Sequence, residues 1–569
     1  MVNTLPKNAQ DALDWKADQF SPYFNALIER DITADSVTDW LTAWSDVAKL
    51  TSEVASRLSV ATTVDTTDEE SENRLKVFLD EVFPVLAMSN HMLNQKLLAS
   101  GLQPEGFEIP LRNIKAESEL FREENLSLQS EEGKLRIDYD KMIGAQSVTW
   151  DGQEITLAAL SPVYQEQDRA RREKAWRLSM TRMLQDREAL NELWVQFMDL
   201  RGQIAANAGL PDYRAYAWKA MKRFDYTPED SETFQKAIEE VVVPAAKRLY
   251  ERRQSRLGVD SLRPWDLAVE PSGASALHPY ETISELENTL TTIFDQVDPQ
   301  LGGYYRTMKS ENLLDLDNRK GKAPGGYCTT FPQAERPFIF MNAVGLHNDV
   351  QTLLHEGGHA FHAFESFSLP YIHQQDVPME FAEVASMSME LIASPYLAKS
   401  AGGFYSEADA ARARVEHLES MIRFWPYMAV VDAFQHWVYT NHQAASNPAN
   451  CDAKWAELWD RFMQGIDYGG LQAEKETGWH RKLHIFQIPF YYVEYGLAQL
   501  GAVQVWGNSL QDQAQAVRDY RKALALGGTA TLPQLFSIAG AKFGFDSATV
   551  KRAVDLVERT IDELTQIAD

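Results

Sequence analysis

Apolar residues recur at steps of three and four along most of the chain, which is the spacing of one face of an α-helix. Residues 40–50 and 75–86 show this pattern near the N-terminus, and it returns after Pro162 as long, charge-laced segments through about Arg256. It continues through 281–297 and, after a break, to the C-terminus. The periodicity therefore predicts a mostly α protein.

Two stretches predict β-structure instead. In 147–157, an Asp-Gly pair separates two β-prone runs, which is typical of a hairpin. We expect this hairpin to belong to a small α+β insertion over 114–160. Phe338–Asn342, preceded by a proline, is the best strand candidate in the second half of the chain and lies just before the segment with the most chemistry.

The remaining breaks indicate loops and divide the chain. Residues 257–279 are rich in Gly, Pro and Ser and predict a loop or linker, and the charge run 65–72 predicts a solvated turn. A length of 569 residues is enough for more than one domain. We expect an N-terminal helical region over 1–113, an α+β segment over 114–190 and a third region over 191–569.

Composition narrows the class of partner. The formal charge is −27, from 55 basic and 82 acidic side chains, and such a field repels phosphates. We therefore expect no nucleic-acid partner and no membrane partner, and no apolar run reaches the roughly 20 residues that a membrane span needs. Neither a secretory signal nor a disulfide framework is expected, since the start is polar and only Cys328 and Cys451 are present. These features predict a cytoplasmic protein, and no obligate protein partner is inferred.

The candidate chemistry centres on His355-Glu356-Gly357-Gly358-His359. On a helix, residues four apart lie on the same face one turn apart, so the two imidazoles can share a metal ion. The glutamate between them is placed to act on a water rather than to bind the metal. Two glycines in a helix cost about 1 kcal/mol each relative to alanine, which indicates that another element approaches closely here.

A catalytic zinc site needs a third protein ligand. Glu380, Glu383 and Glu390 lie at steps of three and seven on one predicted face of a helix that starts at about Pro378. Their neighbours are apolar, so we expect the carboxylates to point inward, where they need partners. Glu380 can equally be an ordinary first-turn residue.

Three other side chains close to the motif are weaker candidates. His362 lies on the ligand side of the helix, although a packed histidine is the favoured interpretation. His373 and Asp376 lie in the predicted connection between the two helices and are alternative ligands.

The motif followed 24 residues later by Glu383, within Glu-Phe-Ala-Glu-Val-Ala-Ser, resembles the M3 peptidase family of thimet oligopeptidase relatives, and more closely its bacterial oligoendopeptidase F branch. The resemblance implies one zinc ion per chain, held by His355, His359 and Glu383. It implies Glu356 as the general base. Glu390 then matches a carboxylate that orients a ligand histidine, as metal sites generally require.

Two further blocks support this resemblance. The first runs from Lys322 through Gly325-Gly326-Tyr327 into the predicted strand. Glycines let a backbone approach a ligand closely, and an exposed strand before the metal helix can hold an extended peptide by edge pairing. A turn followed by a buried strand explains the same residues, but the similar family stretch lines the cleft. Gly325, Gly326 and Tyr327 are therefore predicted to bind substrate.

The second block, 484–495, resembles the oligoendopeptidase pattern His-x-Phe-x-x-Pro-Phe-Tyr-x-x-x-Tyr. By that similarity His484, Tyr492 and Tyr495 are candidates for binding substrate carbonyls or stabilising the oxyanion of amide hydrolysis. Tyr491 is a further candidate for binding substrate, although it can also face the opposite side. Which tyrosine does which task stays open.

These features predict a zinc metalloendopeptidase that hydrolyses internal bonds of short peptides through a zinc-activated water. The implied fold is a mostly helical, two-lobed body around a deep channel, with the β insertion and a short β element beside the metal helix. A helical HExxH carboxypeptidase is the first alternative. An inactive metal- or peptide-binding protein is the second, and the intact Glu356 argues against it.

Overall fold

The three-dimensional structure is a computed structural model that describes residues 4–275, 277–319, 322–323 and 325–568. Helices dominate this part of the chain, which confirms the mostly α prediction. The α-helices are α1 Ala17–Glu29, α2 Val37–Val64, α3 Glu69–Val77, α4 Phe83–Ser100, α5 Glu108–Leu120, α6 Glu123–Gly144, α7 Arg169–Gln185, α8 Arg187–Asn207, α9 Tyr213–Ala220, α10 Pro228–Ala237, α11 Val243–Leu257, α12 Ile283–Val297, α13 Pro299–Ser310, α14 His347–Ser366, α15 Met379–Ala393, α16 Glu407–Thr440, α17 His442–Ala445, α18 Pro448–Phe462, α19 Gln472–Glu476, α20 Leu483–Gln487, α21 Tyr492–Ser509, α22 Gln513–Leu524, α23 Leu532–Ile538 and α24 Ser547–Ala568. In the described part of the chain, no helix combines the length and the apolar character that crossing a membrane requires.

The N-terminal helices have a hydrophobic core of their own. Trp40 and Trp44 on α2 are its largest buried side chains, and the Trp40 indole donates to the Leu27 carbonyl at 2.9 Å. Apart from Tyr371, the buried residues of this cluster lie between positions 9 and 114, whereas a second, larger cluster gathers side chains from 135 to 564. The boundaries expected at 113 and 190 stay predictions.

The charge run 65–72 is only partly the turn that was predicted. Asp68 accepts hydrogen bonds from the backbone of Glu70 and Ser71, so it caps α3, and 69–72 form the first turn of that helix. Three of these four helical residues are acidic, which suits the positive end of a helix dipole. The long polar stretch thus begins a helix rather than only closing a loop.

The predicted hairpin is present as β1 Ser147–Trp150 and β2 Gln153–Thr156, paired antiparallel. Asp151 and Gly152 both have positive φ, at 49° and 84°, as the tightest hairpin turns require. It follows α6, so 114–160 combines helix and hairpin as expected. The stretch 257–279 contains no helix longer than the short Pro264–Asp266 turn among its described residues.

The second sheet has the order β3-β5-β4, formed by Leu314–Asp317, Arg336–Ala343 and Tyr327–Phe331. The predicted strand is β5, but it is the central strand, with β3 parallel on one side and β4 antiparallel on the other. Its backbone is therefore already paired on both edges. The expectation that this strand offers an edge to a peptide is wrong, and β4 is the outer strand nearer the motif.

Helices α14, α15 and α21 pack side by side and carry the candidate site. A Cβ atom built on Gly358 would lie 2.6 Å from both the Ala385 carbonyl oxygen and the Ser386 Cα of α15. One on Gly357 would lie 2.8 Å from the ring of Phe294 on α12. The two glycines therefore allow α14 to approach its neighbours more closely than any other residue would, as predicted.

Candidate metal centre and active site

Packing of α14 against α15 brings His355, His359 and Glu383 together. One ligand atom from each lies within 4.8 Å of the others. Glu383 Oε2 is 3.4 Å from His355 Nε2 and 3.7 Å from His359 Nε2. Burial opposes ionisation of Glu383, but its hydrogen bond to His355 and the charges of both imidazoles lower its pKa to about 2.

Glu390 joins the metal-binding helix to a histidine that was not predicted. One carboxylate oxygen lies 2.7 Å from His355 Nδ1, and the other lies 2.8 Å from Nε2 of His417 on α16. The bond to Nδ1 leaves Nε2 of His355 directed toward Glu383. His417 follows Glu390 by 27 residues on another helix, so no local spacing indicated it.

Glu356 is buried beside the ligands, with 7% of its surface exposed. Burial raises its pKa to about 7; the charge of His355 lowers it, the carboxylates of Glu383 and Glu390 raise it, and a hydrogen bond from the Cys328 backbone lowers it. Cys328 lies on β4, so the base contacts the outer strand of the sheet. Burial and the nearby Glu356 hold the pKa of the Cys328 thiol well above its usual value, consistent with a packed thiol.

Tyr491 faces the site. Its hydroxyl donates to Glu383 Oε1 at 3.2 Å, and its ring lies 5.1 Å from that of Tyr495. The possibility that Tyr491 points away is therefore wrong. Burial, followed by the charges of Glu383 and Glu494, raises the pKa of Tyr495, and Glu356 contributes in the same direction. Both Tyr491 and Tyr495 are thus phenols, able to donate a proton, close to the candidate ligands.

The rings of Tyr491, Tyr492, Tyr495 and His484 form one cluster, which we call the tyrosine wall. Tyr492 lies farther along this wall from Glu383 than Tyr491 does. It is buried, and its ring contacts those of Phe424, Tyr427 and Tyr495. The structure does not bring its hydroxyl into contact with the three ligand candidates. The ring of His484 lies 5.0 Å from that of Tyr492 and 5.9 Å from that of Tyr495. Its buried Nδ1 has no hydrogen-bond partner among the described residues, and burial lowers its pKa to about 4.

A buried ion cluster holds the tyrosine segment against α15. The guanidinium of Arg223 donates to the Phe490 carbonyl at 2.6 Å and to Glu494 Oε1 at 2.8 Å, and lies 3.5 Å from Glu380 Oε1. The Phe490 amide donates to Gln435. Phe490 has a φ of 69°, an uncommon conformation for a non-glycine residue. Side chains from elsewhere therefore fasten the turn that aims Tyr491, and the sequence carried no signal for Arg223.

The block Gly325-Gly326-Tyr327, which was predicted to bind substrate, lies only partly beside α14. Gly325 has a φ of 97°, and the Asn342 side chain donates to its carbonyl at 3.1 Å. Gly326 lies against Thr352 of α14; Pro324 is outside the described residues. Tyr327 turns away, since its hydroxyl lies 2.5 Å from Thr63 on α2 and its ring stacks on Phe340. The Tyr327 hydroxyl is thus bonded to the N-terminal region, and the predicted part of Tyr327 in substrate binding stays a prediction.

The alternative ligands lie elsewhere. Glu380 accepts a hydrogen bond from Tyr226 at 2.8 Å, and His362 is buried against Phe381. His373 packs on Trp44, with ring centroids 4.3 Å apart. Asp376 pairs with Lys222. Within the described ranges, His355, His359 and Glu383 form the one group of three such side chains close enough to hold a metal.

The donor set fits zinc. Two imidazole nitrogens and one carboxylate oxygen make three protein ligands, the number typical of a zinc site that keeps a position open. Burial lowers the pKa of His359 to about 4, so its imidazole is neutral and available to coordinate. Glu390 on Nδ1 of His355 supplies the carboxylate that usually orients a zinc-bound histidine.

An HExxH helix packed against a helix that carries a third candidate ligand is the arrangement of a helical metallopeptidase. The chain belongs to peptidase family M3, whose family model matches residues 163–554. That match contains each of the residues described above as a candidate ligand, base or tyrosine.

Curated relatives match over part of their length. The chromosomal oligoendopeptidase F of Lactococcus lactis subsp. cremoris is 24% identical over 347 residues, which are 58% of this chain and 53% of that protein. The oligopeptidase PepF of Bacillus subtilis strain 168 is 24% identical over 277 residues, covering 47% and 40% of the two chains. The chain thus spans about half the length of the curated relatives that it matches.

Solved structures match over nearly the whole chain. A protein described as an oligoendopeptidase F is 27% identical, with a TM-score of 0.89 and coverage of 98% of both chains. PZ peptidase A, solved with an inhibitor, is 27% identical, with a TM-score of 0.86 and coverage of 99% and 98%. The helical architecture described here is therefore that of these M3-type structures.

Proposed function

We propose that this protein is a zinc-dependent endopeptidase that hydrolyses internal bonds of short peptides. The observation that carries the proposal is the convergence of His355, His359 and Glu383 within 4.8 Å, beside a buried glutamate. Those three side chains would hold the zinc ion, one per chain. When bound, zinc supplies Lewis acidity, which acidifies water and polarises a scissile carbonyl.

Glu356 acts as general base and then general acid. It takes a proton from the attacking water and delivers it to the leaving amine. Its burial favours the protonated form, and a carboxyl that exchanges a proton readily near neutral pH suits both halves of this task. When a metal cation is bound beside Glu356, the charge of the ion favours the carboxylate form of this side chain, and in that form Glu356 can accept a proton.

The tyrosine wall stabilises the oxyanion. Tyr495 is a protonated donor near Glu383, whereas the single proton of the Tyr491 hydroxyl is donated to Glu383. His484 has a buried nitrogen with no partner among the described residues, which suits a hydrogen bond with the peptide. For Tyr492 to bind a substrate carbonyl or the oxyanion, as predicted, substrate binding has to rearrange the tyrosine wall.

An extended peptide is expected to lie along β4 rather than β5. On one edge β4 pairs with β5, and no described strand pairs with its other edge. Backbone N–H and C=O groups on such an edge bind an extended peptide by strand addition. The Gly325-Gly326 turn at the start of this strand leaves room for the peptide backbone.

Glu356→Gln tests the mechanism. The amide cannot take a proton, so kcat for a quenched fluorescent peptide should fall by about 10² or more, while bound zinc stays near one ion per chain. A variant that keeps near-wild-type kcat would refute the role of Glu356. Glu365→Gln, which alters a carboxylate on the same helix that pairs with Arg521, is the matched control and should retain activity.

Peptides blocked at both ends separate this function from that of a carboxypeptidase, which needs a free C-terminus. Cleavage of a doubly blocked peptide supports the endopeptidase, and strict dependence on a free carboxylate supports the alternative. The size limit follows from the expected two-lobed channel, so a folded protein should resist cleavage while its unfolded fragments are cut. The cytoplasmic location stays a prediction from sequence.

A further inference from the structure

Lys482 lies at the outer end of the tyrosine wall, immediately before α20. Its Nζ is 4.3 Å from the ring centroid of Tyr492 and 5.2 Å from that of Tyr427. The side chain is half-buried. The Tyr492 ring contacts that of His484, so the ammonium group lies beside the lining of the proposed site.

This ammonium group has no acidic partner among the residues that the structure describes, and its Nζ donates no hydrogen bond to them. Other buried lysines differ. Lys322 Nζ contacts Asp315 and several carbonyl oxygens, and Lys222 contacts Asp376 and Glu117. Lys482 is half-buried, so it loses part of its contact with water without gaining a carboxylate partner among the described residues. An unpaired lysine is the more notable in a chain whose formal charge is −27.

The neighbouring Arg481 increases the positive potential. It forms no ion pair with a described carboxylate, and its charge acts on Lys482. Burial, and then Arg481, lower the pKa of Lys482 to about 8, so most of the lysine is still charged at pH 7. The Arg481 guanidinium itself contacts Met180 Sδ at 3.8 Å, so Lys482 is the cation that lies on the aromatic rings, and its charge favours a ligand group of negative charge.

The distance to the reacting centre suits a peptide. The rings of Tyr492 and Tyr495 lie 5.7 Å apart, those of Tyr495 and Tyr491 5.1 Å apart, and the Tyr491 hydroxyl contacts Glu383. An extended chain advances about 3.3–3.6 Å per residue. The path from Lys482 Nζ over the three rings to that of Tyr491 is at most about 15 Å long, which corresponds to no more than about four or five residues of an extended peptide.

We propose that Lys482 binds an anionic group of the peptide, either its C-terminal carboxylate or an acidic side chain, within about five residues of the scissile bond. The inference rests on the proposed peptidase function and adds a charge preference to it. The ammonium group also packs on the Tyr492 ring, which by itself is a stabilising contact within the protein. A lysine that only packs on the ring would affect charged and neutral peptides alike, whereas a lysine that binds an anion would favour the charged peptides. An experiment can measure this difference.

The test compares a set of quenched peptides of one sequence: a free C-terminus, a C-terminal amide, and Asp-for-Asn exchanges at each position from one to about five residues on either side of the cut. In wild type, one anionic form should exceed its neutral partner by about tenfold in kcat/KM, as expected for a partly buried charge pair. Lys482→Met should reduce that ratio to near one, and Lys482→Glu should invert it. The neutral peptides should change by less than about threefold.

The same peptides distinguish the two sources of charge. A preference that vanishes on amidation assigns the C-terminal carboxylate, and one that follows an Asp assigns a side chain. Lys454→Met is the matched control, because this lysine also lies over an aromatic ring, Trp437, but is paired with Glu457. It should leave every ratio unchanged.

Measurements of peptide binding test this inference independently of the proposed function. Dissociation constants for the same peptides, measured on Glu356→Gln with and without Lys482→Met, should show the same tenfold charge preference and its loss. If wild type hydrolyses nothing, the proposed function fails while this measurement still decides the role of Lys482. Equal affinity for charged and neutral peptides, or an equal loss for both on Lys482→Met, overturns the proposal.

Discussion

The Tyr491 hydroxyl donates a hydrogen bond to Glu383, with the two oxygens 3.2 Å apart. This contact joins the segment with the tyrosines to a candidate metal ligand on another helix. Because a carboxylate that is hydrogen-bonded on one oxygen presents the other in a defined direction, Tyr491 orients Oε2 toward the histidines. Tyr491 thus holds a carboxylate of the candidate metal site in place.

The three tyrosines should therefore differ when each is replaced by phenylalanine. Tyr495→Phe should lower kcat by about 10²–10³, the usual cost of losing an oxyanion donor, with little change in KM. Tyr491→Phe should also weaken zinc binding, because Glu383 loses its hydrogen bond. Tyr492→Phe should reduce kcat least, since its hydroxyl does not reach the ligands. Steady-state kinetics and zinc titration test this order, and a larger kcat loss for Tyr492→Phe than for Tyr495→Phe would reverse our assignment.

Gly358→Ala should damage the protein although alanine is the better helix former. Its Cβ would lie 2.6 Å from backbone atoms of α15, and forcing extra atoms into a packed interior costs about 1–3 kcal/mol. The free energy of unfolding, measured with urea, should fall by that amount, and zinc affinity should fall because α14 and α15 separate. Gly133→Ala on α6 is the control: its Cβ meets nothing within 4 Å, so stability should rise by about 0.5–1 kcal/mol.

His417→Gln should weaken zinc binding without touching a ligand. Without the imidazole, Glu390 loses one of the two partners that hold it against His355. Changes in such outer partners typically cost 10–100-fold in metal affinity. Competition with a chromophoric chelator measures the loss. His91→Gln, a change to a ring that stacks on Phe121 in the N-terminal region, should leave the affinity unchanged. Equal zinc affinity for both variants would show that His417 has no part in orienting the ligand.

Glu494→Gln should change how stability depends on pH. Burial raises the pKa of Glu494 well above 4.5; Arg223 lowers it and Glu380 raises it. The folded protein then keeps a proton that the unfolded chain releases above about pH 4.5, so this group makes wild type less stable as pH rises toward its folded pKa. The glutamine variant lacks the titration. Its free energy of unfolding should therefore gain on wild type as pH rises, by at most about 1.4 kcal/mol per pH unit.

Urea unfolding at several values between pH 5 and 8 measures this difference. Glu239→Gln is the control, because the hydrogen bond to Arg461 lowers the pKa of Glu239. A lowered carboxyl pKa has its stabilising effect fully present above the unfolded value, so the Glu239→Gln difference should be flat over this range. A flat difference for Glu494→Gln as well would mean that Glu494 is ionised in the folded protein.

Local patterns predicted local structure well. The helix periodicity, the hairpin at Asp151-Gly152 and the pair of glycines in α14 all appear as expected, because each depends on neighbours within about one turn or one hairpin. The sequence was less informative where pairing partners decide. Phe338–Asn342 has the composition of a strand, but whether a strand is central or at an edge depends on β3 and β4. The charge run 65–72 similarly contains a helix start that the pattern did not indicate, because Asp68 acts as a cap only when the residues after it are helical.

Contacts between distant segments needed the tertiary structure. Glu380 and Glu383 are both glutamates on α15, yet Glu380 pairs with Arg223 and Glu383 faces the two histidines. Tyr327 and Tyr491 were both predicted to bind substrate, yet one turns to Thr63 and the other to Glu383. His417, Arg223 and the unpaired charge of Lys482 had no periodic signal at all.

The sequence by itself determined the helical class and the pair of histidines one turn apart with a glutamate between them. These are properties of a single helix, encoded by spacing along a few consecutive residues. Only the tertiary structure decided which carboxylates, tyrosines and cations face that helix. Those side chains come from α15, α16, α21 and the turn before α20, and the packing that assembles them depends on contacts between residues far apart in the chain.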